Sequence, residues 1–248
     1  MKLGAIIEAR MNSSRLPGKI LYKAAGKSFL QHLINRLKKI KQINKIVIAT
    51  TLNSKDDALI TLAKKNKILF FRGSENDVLS RVLGASKKFK IKNIVSITSD
   101  CPIIDVDIIS QAIDTFRINN VDFVSNSDFR SYPDGMDVSI CRSECLIKTY
   151  KMTKDKKYRE HVTLFIKHNK KIFKQINIVA PKNIFWPSLG LTLDEYSDYI
   201  FLKKIIEYFY KRKNYFFKCH EIIDVLNKNK KWLKINSKVK RNFVKYQY

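Results

Sequence analysis

The chain has 248 residues, 45% of them hydrophobic, and a formal net charge of +27. That length buries one large core, so one α/β domain with a smaller appendage is expected, and two equal domains are not. The charge would suggest nucleic acid or an anionic membrane surface, but Lys heavily outnumbers Arg and is spread along solvated helix faces, as at Lys38-Lys39, Lys87-Lys88 and Lys203-Lys204. With abundant Ile and Asn and few Gly and Pro, this matches a compositional bias, and no nucleic-acid partner is expected. In chain order, residues 3–7, 45–50, 68–71, 93–98 and 121–125 read as short apolar strands. Between the first two, Ser28 reads as an N-cap, and Phe29, Leu30, Leu33, Ile34, Leu37 and Ile40 recur on one helical face. Ser54 reads as the cap of a helix through Lys65, and residues 77–89 and 105–117 complete the first helical set. Strands alternating with amphipathic helices predict a three-layer, mostly parallel sheet with helices on both faces. The second half is less regular: 137–141 and 173–179 read as strands, 158–168 and 196–211 as helices, and the Lys- and Asn-rich tail after Tyr215 carries no interpretable motif.

The chemistry concentrates just after the first strand. Residues 9–19, Ala-Arg-Met-Asn-Ser-Ser-Arg-Leu-Pro-Gly-Lys, place Arg10, Arg15 and Lys19 around a tight turn. A nucleoside triphosphate needs such cations, with free backbone N–H groups for the remaining oxygens. The Gly-x4-Gly-Lys-Ser/Thr phosphate loop is absent, and a basic surface loop is the plain alternative. Because open α/β sheets bind ligands beyond the carboxyl ends of their strands, this loop and Asp100, at the end of the fourth strand, can converge on one crevice. Asp100-Cys101-Pro102 also reads as a turn and N-cap before the next helix.

Arg10-x-x-Ser13-x-Arg15-Leu16-Pro17-Gly18-Lys19 resembles the N-terminal signature of the cytidylyltransferases that activate acidic sugars, the 3-deoxy-manno-octulosonate and sialic acid type, and most closely their SpsF-like branch. Counterparts recur at Arg72-Gly73-Ser74-Glu75-Asn76-Asp77-Val78-Leu79-x-Arg81, Thr98-Ser99-Asp100-Cys101-Pro102, Ser125-Asn126, Tyr132-Pro133-Asp134-Gly135-Met136-Asp137 and Tyr158-Arg159-Glu160-His161-Val162-Thr163. One element departs from the pattern. Where the family usually has an Arg, a Thr-x-Asp and then Thr-Pro-Glu-Asp, this chain has Gly190, Thr192-Leu193-Asp194 and Glu195-Tyr196-Ser197-Asp198.

The resemblance implies a fold of the nucleotide-diphospho-sugar transferase type: one domain over 1–215, with an acceptor or dimer lobe at about 130–185, followed by a basic extension over 216–248. It implies Mg2+-dependent transfer of a cytidylyl group from CTP to a sugar acid for a surface polysaccharide, with release of pyrophosphate. Arg10, Arg15, Lys19 and Asp100 would carry the chemistry. The nucleotide would also meet Ser13, Gly18, Arg72, Asp77 and Arg81. Asp100 and Asp194 would hold the metal, although Asp194 also reads as a helix cap. The acceptor would lie against Tyr132, Asp134, Gly135, Asp137, Arg159, Glu160 and His161. Structural readings stand beside these: a Pro-Asp-Gly turn at 133–135, and surface pairing of Arg72 and Arg81 with Glu75 and Asp77. Family relatives are often dimers, so a homodimer is expected. The rival readings are a glycosyltransferase of related fold, a basic RNA-binding protein and a non-catalytic relative.

No stretch approaches the roughly 20 apolar residues of a membrane span, and the opening residues lack the apolar run of a secretory signal. A cytoplasmic protein without membrane insertion is expected. Cys101, Cys141, Cys145 and Cys219 show no Cys-x-x-Cys spacing and are expected as reduced, mostly buried thiols.

Overall fold

Residues 2–241 are described by the structure, a computed structural model. From the N-terminus the elements are β1 (Leu3–Glu8), a hairpin of β2 (Lys23–Ala24) and β3 (Lys27–Ser28), α1 (Phe29–Leu37), β4 (Lys45–Thr51), α2 (Asp57–Lys65), β5 (Leu69–Gly73), α3 (Val78–Lys88), β6 (Asn93–Thr98) and α4 (Val106–Ile118). The second half adds β7 (Phe123–Ser125), β8 (Ser139–Arg142), α5 (Ser143–Met152), α6 (Lys156–Glu160), α7 (Leu164–His168), β9 (Gln175–Asn177), α8 (Tyr196–Lys211) and α9 (Cys219–Lys228).

Among the described residues the main sheet has seven strands in the order β5-β4-β1-β6-β8-β7-β9. β5, β4, β1 and β6 run parallel, while β8 is antiparallel to both of its neighbours. The pleat divides the apolar side chains between two cores, as a sheet covered on both faces requires. Leu3, Ala5 and Ile7 enter the cluster shared with α1, α4, α8 and α9, whereas Ile6 enters the one shared with α3, α5 and α7. Strand order reverses at β1. The chain first moves outward from β1 to β4 and β5, then crosses back to β6 on the other side of β1. The carboxyl ends of β1 and β6 therefore flank the crevice that such a reversal opens.

Of the caps that the sequence suggested, Ser28 holds, whereas Ser54, Asp100 and Asp194 do not, since α2, α4 and α8 start from Asp56, Asp105 and Glu195. Ser28, Asp77 and Asp105 accept the N–H groups of Gln31, Ser80 and Asp107 at 3.2, 2.8 and 2.9 Å. Ser54 does not cap α2. Asn53 accepts the Lys55 N–H at 3.0 Å and starts a short 3-10 turn, Ser54–Asp56, from which α2 continues. The helix expected over 158–168 is broken at His161-Val162-Thr163. Two β-branched residues in sequence disfavour helix there, and His161 leaves it at ψ 90°.

The segment expected as a basic extension contributes α9 to the main core through Phe217, Cys219, Ile222, Val225 and Leu226. Asp105 Oδ2 accepts the Cys219 N–H at 2.7 Å, and the Arg36 guanidinium donates to the Phe217 carbonyl at 3.0 Å while stacking on that ring. The expected extension runs on to 248, and residues 242–248 lie outside the described ones. The four cysteines are buried and unpaired. Among the described residues no helix is long and apolar enough to cross a membrane.

Candidate active site

The loop after β1 is held in shape by a carboxylate that the sequence did not single out. Asp56 Oδ1 accepts the Met11 N–H at 2.7 Å, while Oδ2 accepts from Thr50 Oγ1, the Thr51 N–H and Thr51 Oγ1 at 2.9, 3.1 and 2.5 Å. Burial alone would raise the Asp56 pKa, but these hydrogen bonds outweigh it and hold the carboxyl below its usual value. The loop closes where the Gly18 N–H donates to the Met11 carbonyl at 2.9 Å. Gly18 sits at φ 70°, a conformation that favours glycine, and leads into the 3-10 turn carrying Lys19.

The departing segment around Asp194 arrives at the same place. The Leu193 N–H donates to the Asp100 carbonyl at 2.9 Å, which sets Asp194 beside the end of β6. Lys19 Nζ lies 3.0 Å from Asp194 Oδ1 and 3.8 Å from Asp100 Oδ2, so one ammonium faces both carboxylates. Arg15 Nη2 reaches Asp194 Oδ1 at 2.8 Å, and Arg10 pairs with Glu75 at 3.8 Å. Burial acts to raise the Asp194 pKa, but Lys19, Arg15 and a Thr192 hydrogen bond overcome it and lower the pKa. Asp100 caps nothing with its side chain, because the cap of α4 is Asp105.

Two cavities open at this end of the sheet. One, of about 300 Å³, is lined by Arg10, Ser13, Arg15, Lys19, Arg81 and Asp100. The other, of about 240 Å³, is lined by Ser127, Arg130, Asp137, Ser139 and Lys167 among others. They share Glu8, Thr98, Glu160 and His161 as a common wall. The break between α6 and α7 is what brings His161 to that wall. A larger cavity of about 980 Å³ lies at the opposite end of the sheet, between Lys2, Ile91 and Lys92 and the α3 and α5 side chains. None of the residues expected to act in the reaction lines it.

The second cavity carries mixed charge. Arg130 pairs with Asp137 at 3.2 Å and Asp134 at 3.6 Å, and Lys167 Nζ donates to Ser127 Oγ at 2.7 Å. Burial lowers the Lys167 pKa to about 8 despite the charges of Asp137 and Asp128. Burial and the neighbouring Asp137 push Asp134 up to about 6, against the pull of Arg130 and Arg241.

Glu8 ends β1 on the common wall and accepts Ser96 Oγ–H at 2.9 Å. Burial pushes its carboxyl from 4.5 up to about 7, with Ser96 and Arg81 opposing and Asp100 adding to the rise. A carboxyl raised in this way keeps its proton in the native state where the unfolded chain has lost it. Its contribution to stability therefore falls as pH rises from about 4.5 through about 7. Glu8→Gln is accordingly expected to match the wild type near pH 4 and to exceed it by about 2 kcal/mol at pH 8. Urea unfolding at the two pH values checks this, and an equal difference at both would contradict it.

Several expected residues hold structure near the cavities without lining either. Arg72 donates to the Thr51 and Asn53 carbonyls at 2.8 Å and pairs with Asp57 at 2.7 Å. Asp77 caps α3 and ties it to Arg159, whose guanidinium also donates to the Tyr150 and Thr153 carbonyls at 3.0 and 3.2 Å. Tyr132 is buried in the core with its hydroxyl 3.5 Å from the Val179 carbonyl. Gly135, at φ 101°, packs against the Leu191 carbonyl so closely that a Cβ would clash. With Asp134, bridged to Leu189 and Leu191 through its backbone, it joins the acceptor-side loop to the Asp194 segment. Sequence reasoning does not single out Glu8, Asp56, Arg130 or Lys167. Glu8 directly follows the strand expected over 3–7, and Arg130 and Lys167 become neighbours only through folding.

A cytidylyltransferase family model matches residues 4–236. The chain belongs to the cytidylyltransferase family. It is an enzyme of the nucleotidyltransferase class, similar at 29% identity to the spore coat polysaccharide biosynthesis protein SpsF of Bacillus subtilis, over 90% of this chain and 93% of that one. An uncharacterised protein of Methanocaldococcus jannaschii is 34% identical over 97% of both chains. A solved cytidylyltransferase of Leptospira borgpetersenii serovar Hardjo-bovis superposes with a TM-score of 0.89 at 33% identity, covering all of both chains. The sheet with its β1 reversal and covering helices is thus the fold of this family, as the sequence motifs implied.

Proposed function

We propose that this cytidylyltransferase moves the cytidylyl group of CTP onto a hydroxyl of an acidic sugar, releasing pyrophosphate, and that the product serves a surface polysaccharide. The observation that carries the reading is the pair of cavities meeting at Glu8, Thr98, Glu160 and His161, with the Arg15 and Lys19 cations in only one of them. The triphosphate takes the cation-lined cavity, with Arg10, Arg15 and Lys19 on its phosphates. The acceptor takes the other, where Ser127, Ser139 and Asp137 meet sugar hydroxyls and Arg130 with Lys167 faces the acid group. Its hydroxyl then meets the α-phosphorus at the common wall. A new O–P bond forms there, the bond from the α-phosphorus to the bridging oxygen breaks, and pyrophosphate leaves with that electron pair. The proton of the hydroxyl departs at the same wall, beside Glu8 and His161. The surface polysaccharide follows the similar SpsF protein, which serves spore coat polysaccharide biosynthesis.

Asp100 and Asp194 fit a divalent ion. Both are hard oxygen donors, and both already face one cation, the Lys19 ammonium. Mg2+ commonly takes one or two carboxylates and completes its shell with phosphate oxygens and water, so these two residues would form the protein's share of its ligands. When bound, Mg2+ would neutralise charge on the α-phosphate.

CTP with Mg2+ is expected to raise the melting temperature more than ATP, GTP or UTP, because a ligand that binds only the folded state stabilises it. EDTA should abolish most of the shift. Equal shifts with all four nucleotides would rule out a cytidine-selective cavity.

A further inference from the structure

Gly190 has no positive φ, unlike Gly18, Gly26 and Gly135, so its backbone does not call for glycine. What the position supplies is empty space, and that space is filled. A Cβ on Gly190 would fall inside the Arg241 guanidinium. From there Arg241 Nη2 donates to Asp198 Oδ1 at 2.6 Å, and Nη1 donates to Thr192 Oγ1 at 2.7 Å and lies 3.7 Å from Asp194 Oδ2. Asp198 is fully buried, and its Oδ2 also accepts the N–H groups of Asp194 and Glu195 at 3.1 and 2.9 Å. A buried carboxylate needs such compensation, and Asn236 adds to it by donating to Asp198 Oδ1 at 2.9 Å and to the Gly190 carbonyl at 3.1 Å. The same segment touches the clamp, since the Lys240 carbonyl lies 3.5 Å from Arg15 Nη1.

We propose that Arg241 is a positioning residue of the active site, delivered by the C-terminal segment into the space left by Gly190, where it fixes the loop that carries Asp194. No side chain stands at position 190 ahead of Thr192-Leu193-Asp194, and the Arg241 guanidinium occupies the place where one would begin. This rests on the functional reading only for what the loop does in catalysis. The shared location of position 190 and the Arg241 guanidinium stands without it.

The test is a cycle of wild type, Arg241→Ala, Gly190→Arg and the double variant, followed by melting temperature without ligand, CTP affinity, kcat and KM. Arg241→Ala should lower the melting temperature by roughly 5 to 10 °C and, measured well below melting, lower kcat at least about tenfold. Gly190→Arg alone should also lose stability, because its Cβ must fall inside the Arg241 guanidinium. The double variant should lose less than the sum of the two single losses, since removing the Arg241 guanidinium frees the place where a side chain at 190 must begin. Losses that simply add in the double variant would overturn the shared location. Arg241→Ala with lower melting temperature but wild-type kcat and KM would reduce Arg241 to a structural tie and overturn its role in positioning. A wild type that neither binds nor turns over CTP would instead defeat the functional reading, and the ligand-free melting cycle would still decide the placement of Arg241.

Discussion

Asp100→Asn is expected to cut turnover by about a thousandfold while moving the melting temperature by no more than a few degrees. The two effects separate because the Asp100 side chain has little structural work. It caps no described helix, among the described residues its carboxylate meets only Lys19 at 3.8 Å and the Cys101 thiol at 3.7 Å, and the bond that fixes the Asp194 segment uses its backbone carbonyl. Asparagine keeps that carbonyl and nearly the same shape, and loses only the charge with which the residue would hold Mg2+. Asp194→Asn should lose turnover as well, and the double variant should be little worse than either single one if both carboxylates serve one ion. Steady-state kinetics with a melting curve for each variant checks this. Near-normal turnover in Asp100→Asn would remove Asp100 from the metal site.

Lys19→Ala is expected to weaken CTP binding by about 1 to 3 kcal/mol, and Arg15→Ala by less, because the Lys19 side chain is 12% exposed and that of Arg15 is 37% exposed. Lys19 also separates the two carboxylates, so its removal leaves Asp100 and Asp194 facing each other without the shared ammonium. Asp194 then loses a main cause of its lowered pKa. A carboxyl held low in the native state contributes stability that is present above its unfolded pKa and is lost as pH falls through the folded value. The stability gap between wild type and Lys19→Ala should therefore be widest near neutral pH and narrow in acid. Calorimetric titration with CTP, and urea unfolding at pH 7 and pH 3, read out both effects. Unchanged CTP affinity in both variants would sink the phosphate clamp.

The parts of the site that were legible in the sequence are those whose chemistry is contiguous. The stretch from Arg10 to Lys19 carries its cations, its turn and its place after a strand in one short run, and Asp100 follows an apolar strand directly. Period-2 and period-3.6 patterns were enough to place β1, β4, β6, α1 and α8. The rest depends on pairings across long sequence separations. Asp56 shapes the loop from the far side of β4, Arg130 and Lys167 come from different segments, and Arg241 reaches Thr192 across 49 positions. Helix α9 did carry a signal, since Cys219, Ile222, Ile223 and Leu226 share one face, but the surrounding lysines obscured it. The helix expected over 158–168 shows the opposite error. Its apolar spacing was continuous, and the break at His161 serves the cavity wall, where local propensity gives only a weak hint.

Transfer of the cytidylyl group from CTP to a sugar acid across the adjoining cavities is the step on which the proposed function depends. It is tested most directly by pyrophosphate release from each of the four nucleoside triphosphates, with Mg2+, against a panel of acid sugars. Pyrophosphate is expected from CTP, and its release should require both an acid-sugar acceptor and the divalent ion. Release that is equal for all four nucleotides, or that proceeds unchanged with neutral sugars in place of acid ones, would contradict it.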